Sequence, residues 1–356
     1  MSWLDAYARH AGQALSPAPL LPRREVRCQI GLVRMSSFLF KSNIMKAASF
    51  RFSPSKSIPF RDENAIARAR AVRRQDLTKH RNPDLKIRIV PDEECEHLWV
   101  SDMFYRIKTA ADEGRRCVII TPNPAHTYRK VAHLINTFRV DCKHLWTFNM
   151  DEYANEHGEI APYTWPLGFM SSFRKFFWGR IDPKLRPPEK QVIGPTTKNI
   201  RDYSRMIADL GGADACYSGP GWTGHLAFIE PDAPEFDAPL KQWMKFGARV
   251  VTLSPFTIAQ NSLHGFFGMS GDLAAVPPKA ATIGPADVVA AKYRMEMHAL
   301  ATSGTFVSWQ RMVSRLVLHG PVTPRVPSSL HQLLKTDAFI SESIAANIEP
   351  LWERGY

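Results

Sequence analysis

The chain has 356 residues, of which 44% are hydrophobic and 22% are charged, so it has enough apolar material for a substantial core. No stretch approaches the roughly 20 uninterrupted apolar residues of a membrane helix, so we expect no membrane association through such a helix. The formal net charge of +12 is uneven, because residues 1–84 hold 16 Lys/Arg and 6 Asp/Glu while the other 272 residues hold 30 and 28. The folded part is therefore predicted to be nearly neutral.

Residues 1–84 mix Pro, Ser and Arg without a sustained period, which predicts a solvated, partly disordered extension. Within it, Glu63–Leu77 could form a short basic helix. The alternative, a nucleic-acid-binding arm, lacks interleaved aromatic residues or a known motif, so nucleic acid is not an expected partner. The start has no long apolar region of the kind a secretory signal needs, and translation from a later Met such as Met35 or Met45 stays an alternative.

The five cysteines form no CxxC pair, and their odd number in a long chain argues against a disulfide framework. We therefore expect reduced thiols, two of them in buried strands, and a cytoplasmic protein. The cysteines are Cys28, Cys95, Cys117, Cys142 and Cys216.

From Leu85 onward, short apolar runs alternate with segments of helical period. This alternation predicts an α/β domain over residues 85–340, with a mainly parallel sheet covered on both faces, followed by a tail at 341–356. The predicted strands are Lys86–Val90, Cys117–Thr121, His144–Met150, Ala215–Ser218, Ala248–Leu253 and Tyr293–Leu300. The predicted helices include one with Cys95, Trp99, Met103, Ile107 and Ala110 on its apolar face, one from Tyr128 to Phe138, one with Phe169, Phe173 and Phe177, and Phe306–Leu318.

Three of the predicted strand ends carry polar or glycine-rich segments, namely Thr121–Pro124, Asp151–Tyr153 and Gly219–His225. Ligands of open α/β sheets bind outside the carboxyl ends of the strands. The three segments are therefore expected to share one crevice.

Asp151 follows a strand that should be buried, where poor solvation raises the pKa of a carboxyl group and makes it a better base. The competing interpretation, a turn cap or an arginine partner, has equal weight on position alone. Glu152 should point another way, so a matched carboxylate pair is not expected.

Glycines at 219, 221 and 224 form a turn that could present backbone N–H groups to an anion, although tight strand-to-helix turns also need glycine. His225 at its end could act as a general acid or base. Glu230 lies in the apolar run LAFIEP, where a carboxylate needs a partner, and His225 is the obvious candidate. The remaining histidines have no ligand-like spacing, so we expect no metal and no cofactor.

These stretches resemble the glucosamine-6-phosphate deaminase/isomerase family, part of a wider group with 6-phosphogluconolactonase and ribose-5-phosphate isomerase. FNMDEY is present intact, HLAFIEP is close to the family's H-I-A-F-N-E-P, and PNPAHTY resembles its phosphate turn. NSLHGFF and PPKAATIG fall where later family motifs are expected. The resemblance runs from about Leu85 to Leu318, and the lactonases typically carry D-E-R where this chain has D-E-Y.

The resemblance implies a Rossmann-like three-layer α/β sandwich and a defined reaction. An amino-sugar phosphate is opened, isomerised from aldose to ketose and loses ammonia. Asp151 matches the base that moves a proton between the first two sugar carbons. His225 matches the histidine that assists ring opening, and Glu230 matches the carboxylate that supports it.

The chain departs from the family pattern at its charged positions. Thr223 stands where the family has an aspartate, which should weaken the activation of the histidine. Pro122 and Pro124 weaken the phosphate turn because proline lacks an N–H donor. The family's arginine is replaced near Leu263–His264 and its later lysine near Thr305. Phosphate is then held by groups such as His126, His264 or Lys279, or the substrate is a different sugar.

We therefore predict a glucosamine-6-phosphate deaminase-like enzyme with a sugar phosphate as partner and Asp151, His225 and Glu230 as catalytic residues. The alternatives are an isomerase or lactonase of the same fold acting on a different sugar, and a non-catalytic sugar-binding regulatory protein. A homo-oligomer is compatible with the sequence, which does not fix the oligomeric state. The predicted substrate-binding residues are Thr121, Asn123, Glu152, Gly219, Gly221, Thr223, Gly224 and His264.

Overall fold

The computed structural model describes residues 52–123, 125–299 and 308–352. The chain divides into a unit of residues 1–53 and a unit of residues 54–356, and the helices and strands of the described residues belong to the second unit. No helix of the described residues combines the length and apolar character that crossing a membrane requires. The predicted disorder of the N-terminal extension falls mostly on residues 1–51, which lie outside the described residues.

The second unit is an α/β fold, as predicted. Its strands are β1 (Leu85–Val90), β2 (Cys117–Thr121), β3 (Leu145–Asn149), β4 (Asp151–Ala154), β5 (Val192–Ile193), β6 (Ala215–Ser218), β7 (Arg249–Thr252), β8 (Lys279–Thr282), β9 (Arg294–His298) and β10 (Thr336–Ser341). Its helices are α1 (Glu63–Ala71), α2 (Glu94–Asp112), α3 (Tyr128–Thr137), α4 (Phe169–Phe176), α5 (Tyr203–Asp209), α6 (Leu240–Trp243), α7 (Pro255–Ser262), α8 (Pro285–Ala290), α9 (Gln310–His319) and α10 (Glu342–Ala345).

Seven strands form a parallel sheet in the order β1-β10-β9-β6-β2-β3-β5. Strand β2 lies near its centre and all five of its residues are buried. Because strand side chains alternate between faces, Val118 and Ile120 join one hydrophobic cluster while Cys117 and Ile119 join another. Both faces of the sheet are therefore covered, which explains why β2 has a continuous apolar sequence.

A second sheet has the antiparallel order β4-β8-β7. The strand predicted at Ala248–Leu253 is β7, and it belongs to this smaller sheet. The expectation that it is part of the parallel sheet is therefore wrong. Asp151 does not simply follow a strand, since it begins β4 and pairs with Thr282 of β8. The sequence does not predict β4 and β8, because DEYA and KAAT have no run of large apolar residues.

Part of the predicted extension belongs to the second unit. In α1, Ala65 and Ala69 are buried, and the Asp62 side chain caps the helix by accepting from the Ala65 N–H at 2.9 Å. Leu77 is fully buried in a cluster that also contains residues of α9. The division of the chain at residues 84 and 340 stays a prediction.

Candidate active site

Three polar segments follow adjacent strands at the carboxyl edge of the parallel sheet. In the order β6-β2-β3, they begin at Ser218, Thr121 and Asn149. Parallel pairing sets Thr121 opposite Asn149, and the Thr121 hydroxyl donates to the Asn149 amide oxygen at 3.0 Å. The sequence expectation that these strand ends meet at one edge of the sheet is thus met by the topology.

Asp151 is a buried carboxylate that accepts a hydrogen bond from the Asn123 amide nitrogen. Burial raises the pKa of Asp151 well above its ordinary value, and the neighbouring Glu152 adds to this rise, while the Asn123 bond opposes it. A carboxyl group in this setting holds a proton more firmly than one in water. A shift in this direction favours a carboxyl group that acts in proton transfer.

Glu152 serves a structural purpose in the described chain. Its carboxylate accepts the backbone N–H groups of Tyr153 at 2.9 Å, Phe169 at 3.0 Å and Met170 at 2.8 Å. It thus satisfies the first N–H groups of α4, which would otherwise be unpaired. Burial raises the pKa of Glu152 to about 7, against the effect of these three donors. The structure gives no support to the expected contact between Glu152 and substrate.

His225 is buried, with two hydroxyl groups close to its Nδ1 atom. Thr223 Oγ1 lies 3.1 Å from Nδ1 and Thr257 Oγ1 lies 3.0 Å from it. The nearest carboxylate oxygen, Glu230 Oε2, is 3.7 Å from Nδ1. The expected direct hydrogen bond between His225 and Glu230 is therefore replaced by bonds to two hydroxyls, with the carboxylate beside them.

Burial sets the charge states of this pair. It lowers the pKa of His225 to about 3, helped by the nearby His264, so the imidazole is neutral at pH 7. Burial also raises the pKa of Glu230 to about 7, against the lowering effect of the nearby Thr257 and Thr223 hydroxyls and of the Ser254 N–H, which donates to Glu230 Oε1 at 3.3 Å. The imidazole is therefore a weak base in the free protein, and the carboxyl group beside it is the one that titrates near neutrality.

The glycines of the turn before His225 are required by close packing. A Cβ atom on Gly221 would lie 1.8 Å from His225 Nε2, and one on Gly219 would lie 2.6 Å from the Met297 carbonyl oxygen. Gly224 has φ +79°, in the left-handed region, and packs against Val326. The turn therefore brings the backbone directly against the histidine ring.

Much of the hydrogen-bonding capacity of this turn is used within the protein. The Gly221 N–H donates to the His225 carbonyl at 3.1 Å, and the Gly224 N–H donates to the Gly221 carbonyl at 2.9 Å. The Trp222 N–H donates to Gln260 Oε1 at 2.7 Å. The expectation that the turn offers these N–H groups to an anion is accordingly wrong for all three.

His264 lies near His225, since it influences the pKa of that residue. Burial lowers the pKa of His264 to about 4, and its Nε2 atom is buried without a hydrogen-bond partner among the described residues. His126 is exposed in the turn after β2. Lys279 pairs with Ala154, three residues along the strand from the Asp151–Thr282 pair.

Several residues of this region have no counterpart among the sequence predictions. Thr257, Gln260 and Ser254 all belong to α7 or its N-cap and contact the turn or Glu230. The signal was available, because all three are polar residues in a segment whose apolar neighbours predict burial.

A second buried group joins Glu296 to His331, with His298 bonded to Ser314, and the three ionisable side chains are fully buried.

Two cavities lie away from these residues. One, of about 330 Å³, is lined by Arg106, Arg115, Cys117, Asp214 and Lys292, near the amino ends of β2 and β6. The other, of about 510 Å³, is lined by Tyr163, Arg174, Glu189, Lys190, Val192 and Ile193. Ligands of this sheet class bind at the opposite, carboxyl edge, so the Asp151–His225 region is the better candidate site. Among the described residues, no three His, Cys, Asp or Glu side chains are grouped to hold a metal ion.

The chain is similar to curated glucosamine-6-phosphate deaminases. It is 29% identical to the Caenorhabditis elegans enzyme over 198 residues, which are 52% of this chain and 65% of that enzyme. It is 29% identical to the Aeromonas salmonicida enzyme over 240 residues, 63% of this chain and 82% of that one. With the Lachnoclostridium phytofermentans enzyme it shares 28% identity over 232 residues, 61% and 86% of the two chains. No family model matches the chain.

Solved structures extend the comparison to the fold. A monomeric glucosamine-6-phosphate deaminase of the NagB superfamily aligns with a TM-score of 0.60 at 21% identity, over 73% of this chain and 99% of that one. The 6-phosphogluconolactonase of Leishmania guyanensis aligns with a TM-score of 0.52 at 12% identity, over 75% and 99%. The chain is therefore similar in sequence to glucosamine-6-phosphate deaminases and shares the fold of a solved deaminase and a solved 6-phosphogluconolactonase.

Proposed function

We propose that this protein is an enzyme that isomerises an amino sugar from the aldose to the ketose form with loss of ammonia. The observation that carries the proposal is the buried Asp151 carboxylate, which accepts a hydrogen bond from Asn123. Asn123 follows β2, and the adjacent strand β6 leads to His225. The relatives named glucosamine-6-phosphate deaminase make glucosamine 6-phosphate the reference substrate.

Asp151 is the base in this proposal. It takes the proton from the second carbon of the open-chain amino sugar, which forms an enolamine, and returns a proton to the first carbon, which forms an imine at the second carbon. Its raised pKa suits both steps, because the carboxyl group must be a base in the first and an acid in the second. Asn123 fixes the orientation of the carboxylate through one oxygen and leaves the other for the proton.

His225 opens the sugar ring by accepting the proton of the anomeric hydroxyl and supplying one to the ring oxygen. When the hydroxyls of Thr223 and Thr257 accept from His225 Nδ1–H, the imidazole is held in the tautomer with a basic Nε2. Glu230 acts on the histidine through its charge, with Oε2 3.7 Å from Nδ1. Water then adds to the imine carbon, and the resulting carbinolamine expels ammonia and leaves the ketose.

The assay measures ammonia and ketose release from glucosamine 6-phosphate and from glucosamine. We expect release by the unmodified protein and a loss of at least about a hundredfold for Asp151→Asn, the size usual for a general base. Equal rates for the two proteins, or no release from either sugar, contradict the proposal.

Two other functions have specific support. Lactone hydrolysis is suggested by the fold shared with the Leishmania guyanensis lactonase, and release of acid from 6-phosphogluconolactone would reveal it. A non-catalytic sugar sensor is suggested by Thr223, which cannot supply a negative charge beside His225. Tight binding of a sugar that is recovered unchanged would favour the sensor.

A further inference from the structure

A segment that follows α9, residues 323–328, packs against the turn that carries His225. The family resemblance of the sequence ends near Leu318, before this segment begins, so it assigns the segment no role. Val326 is fully buried, and a Cβ atom on Gly224 would meet its Cγ1 atom at 2.8 Å. The segment therefore lies in close contact with the residue that directly precedes the histidine.

Ser328 makes two hydrogen bonds to consecutive carbonyl groups of this turn. Its backbone N–H donates to the Gly224 carbonyl at 2.9 Å, and its hydroxyl donates to the His225 carbonyl at 3.0 Å. The Gly224 carbonyl belongs to the peptide group before the Cα atom of His225, and the His225 carbonyl belongs to the peptide group after it. Since φ and ψ are the only soft rotations between two planar peptide groups, Ser328 holds the backbone conformation of His225 from both sides.

Both bonds are shielded from solvent. Ser328 is fully buried and His225 is 4% exposed. The His225 carbonyl also accepts the Gly221 N–H at 3.1 Å, so both of its lone pairs have a donor. The backbone that carries the imidazole is therefore held by two parts of the chain that are more than a hundred residues apart in sequence.

The position of the imidazole depends on this backbone conformation, because the two peptide groups set the direction of the Cα–Cβ bond. The Nδ1 atom then meets the hydroxyls of Thr223 at 3.1 Å and Thr257 at 3.0 Å. Thr257 belongs to α7, so its hydroxyl does not move with the turn. A displacement of about 1 Å at a catalytic group can lower a rate by about a hundredfold.

The same segment contacts the chain directly after Glu230. Arg325 donates to the Pro231 carbonyl at 3.1 Å, and its guanidinium lies 3.7 Å from the Asp237 carboxylate. The Arg325 side chain is about half exposed, so this contact stabilises less than a buried one. The segment thus reaches both ends of the stretch from His225 to Pro231, with its buried contact at the histidine.

We propose that Ser328 is a positioning residue for the ring-opening step, because it holds the backbone of His225 where the imidazole meets the Thr257 hydroxyl. The inference rests on the proposed function, since it takes His225 as the group that opens the sugar ring. The Ser328 hydroxyl donates its hydrogen to the His225 carbonyl, and Ser328 therefore acts through the histidine.

The next residue, Ser329, provides a matched control. It is also fully buried, but its hydroxyl accepts the Thr323 N–H at 3.0 Å and donates to the Thr323 carbonyl at 3.3 Å. Alanine at either position removes one buried hydroxyl and keeps the backbone N–H. Both variants should therefore lose a comparable amount of thermal stability, while only Ser328→Ala should affect His225.

The position of His225 can be measured without turnover. We would record nitrogen NMR spectra of the full-length protein with isotope-labelled histidine, and assign the His225 ring by the signals that disappear in His225→Gln. We expect Ser328→Ala to shift the ring-nitrogen signals of His225, because Nδ1 no longer meets both threonine hydroxyls, and Ser329→Ala to leave them unchanged. Ser328→Cys, which keeps a weak donor, should give a smaller shift and serves as the second variant if the alanine protein does not fold.

Turnover gives an independent measurement. Ser328→Ala should lower kcat about tenfold and change KM by less than about twofold, because a displaced imidazole slows the reaction of bound sugar. Ser329→Ala should keep the kcat of the unmodified protein. Unchanged His225 signals in the Ser328 variants, or equal losses of kcat in the two alanine variants, overturn the inference. Shifted His225 signals in a protein that turns over neither glucosamine nor its 6-phosphate would support the positioning of His225 and contradict the proposed function alone.

Discussion

The Nδ1 atom of His225 lies 3.0 Å from the hydroxyl oxygen of Thr257, a residue 32 positions further along the chain. Thr257 is fully buried in the first turn of α7, and the Glu230 Oε2 atom lies further from the same Nδ1 atom, at 3.7 Å. The hydroxyl, and not the acid that was expected to pair with the histidine, is therefore its closer partner. This arrangement makes Thr257 a positioning residue for His225.

Thr257→Val keeps the shape of the side chain but removes the hydroxyl. We expect a loss of about tenfold in kcat/KM, because one buried hydrogen bond of about 1–2 kcal/mol no longer orients the imidazole. We also expect a change in the pH dependence of kcat/KM, which a purely structural role would not produce. Thr252→Val on the exposed part of β7 is the control and should behave like the unmodified protein. An unchanged rate and pH profile for Thr257→Val would remove the positioning role.

Glu152→Gln should reduce stability more than activity. The amide has only one acceptor oxygen for the backbone N–H groups that Glu152 now satisfies, so the start of α4 loses part of its cap. We expect the free energy of unfolding in urea to fall by about 1–2 kcal/mol. Asp151→Asn is the matched comparison, with the opposite outcome of lost activity and little lost stability. A Glu152→Gln protein of normal stability would show that the cap contributes nothing.

Gly224, in the turn before His225, and Gly268, which lies outside that turn, provide a paired test of packing against Val326. Both have positive φ, +79° and +71°, but a Cβ atom on Gly224 would meet Val326 Cγ1 at 2.8 Å, whereas one on Gly268 would meet nothing within 4 Å. Gly268→Ala should cost about 1 kcal/mol from backbone strain alone. Gly224→Ala should cost more, as measured by thermal unfolding. Equal losses would mean that Val326 moves aside freely.

His298 should contribute a distinct pH dependence to stability. Burial lowers its pKa from 6.5 to about 4, in spite of the nearby Glu296, while His331 adds to the lowering. The unfolded chain therefore binds a proton at His298 between pH 6.5 and 4 that the folded protein does not bind. Its contribution is complete above pH 6.5 and is lost as the pH falls through this window.

His298→Gln removes this titration. The slope of the unfolding free energy against pH, measured by urea denaturation between pH 6.5 and 4, should be smaller than in the unmodified protein by up to one proton. The slope is the readout, because the substitution also changes stability at every pH by altering the bond to Ser314. The same slope in both proteins would contradict a neutral His298 in the folded state.

The parallel strands were predictable because burial on both faces requires a continuous apolar sequence. Cys117–Thr121 and Ala215–Ser218 have the predicted bounds, since each is a continuous run that the sheet buries completely. β4 was not predictable in this way. Its two carboxylates are tolerated only because Asn123 and the start of α4 provide donors, and neither partner is adjacent in sequence.

The candidate site was predictable in the residue types that it contains but not in their contacts. His225 and Glu230 are five residues apart in sequence, which suggests a direct pair. The contact of the Thr257 hydroxyl with His225 and the capping role of Glu152 depend on α7 and α4, whose positions follow from tertiary packing. Such contacts between distant segments leave no local pattern in the sequence.

Transfer of a proton by Asp151 between two sugar carbons is the central step of the proposed reaction, and isotope exchange tests it most directly. We would incubate the protein in deuterium oxide with glucosamine and with glucosamine 6-phosphate and detect deuterium on the first carbon of the ketose by NMR. We expect deuterium at that carbon with the unmodified protein and none with Asp151→Asn. Ketose formation at the same rate, with the same incorporation of deuterium, by both proteins would contradict this role of Asp151.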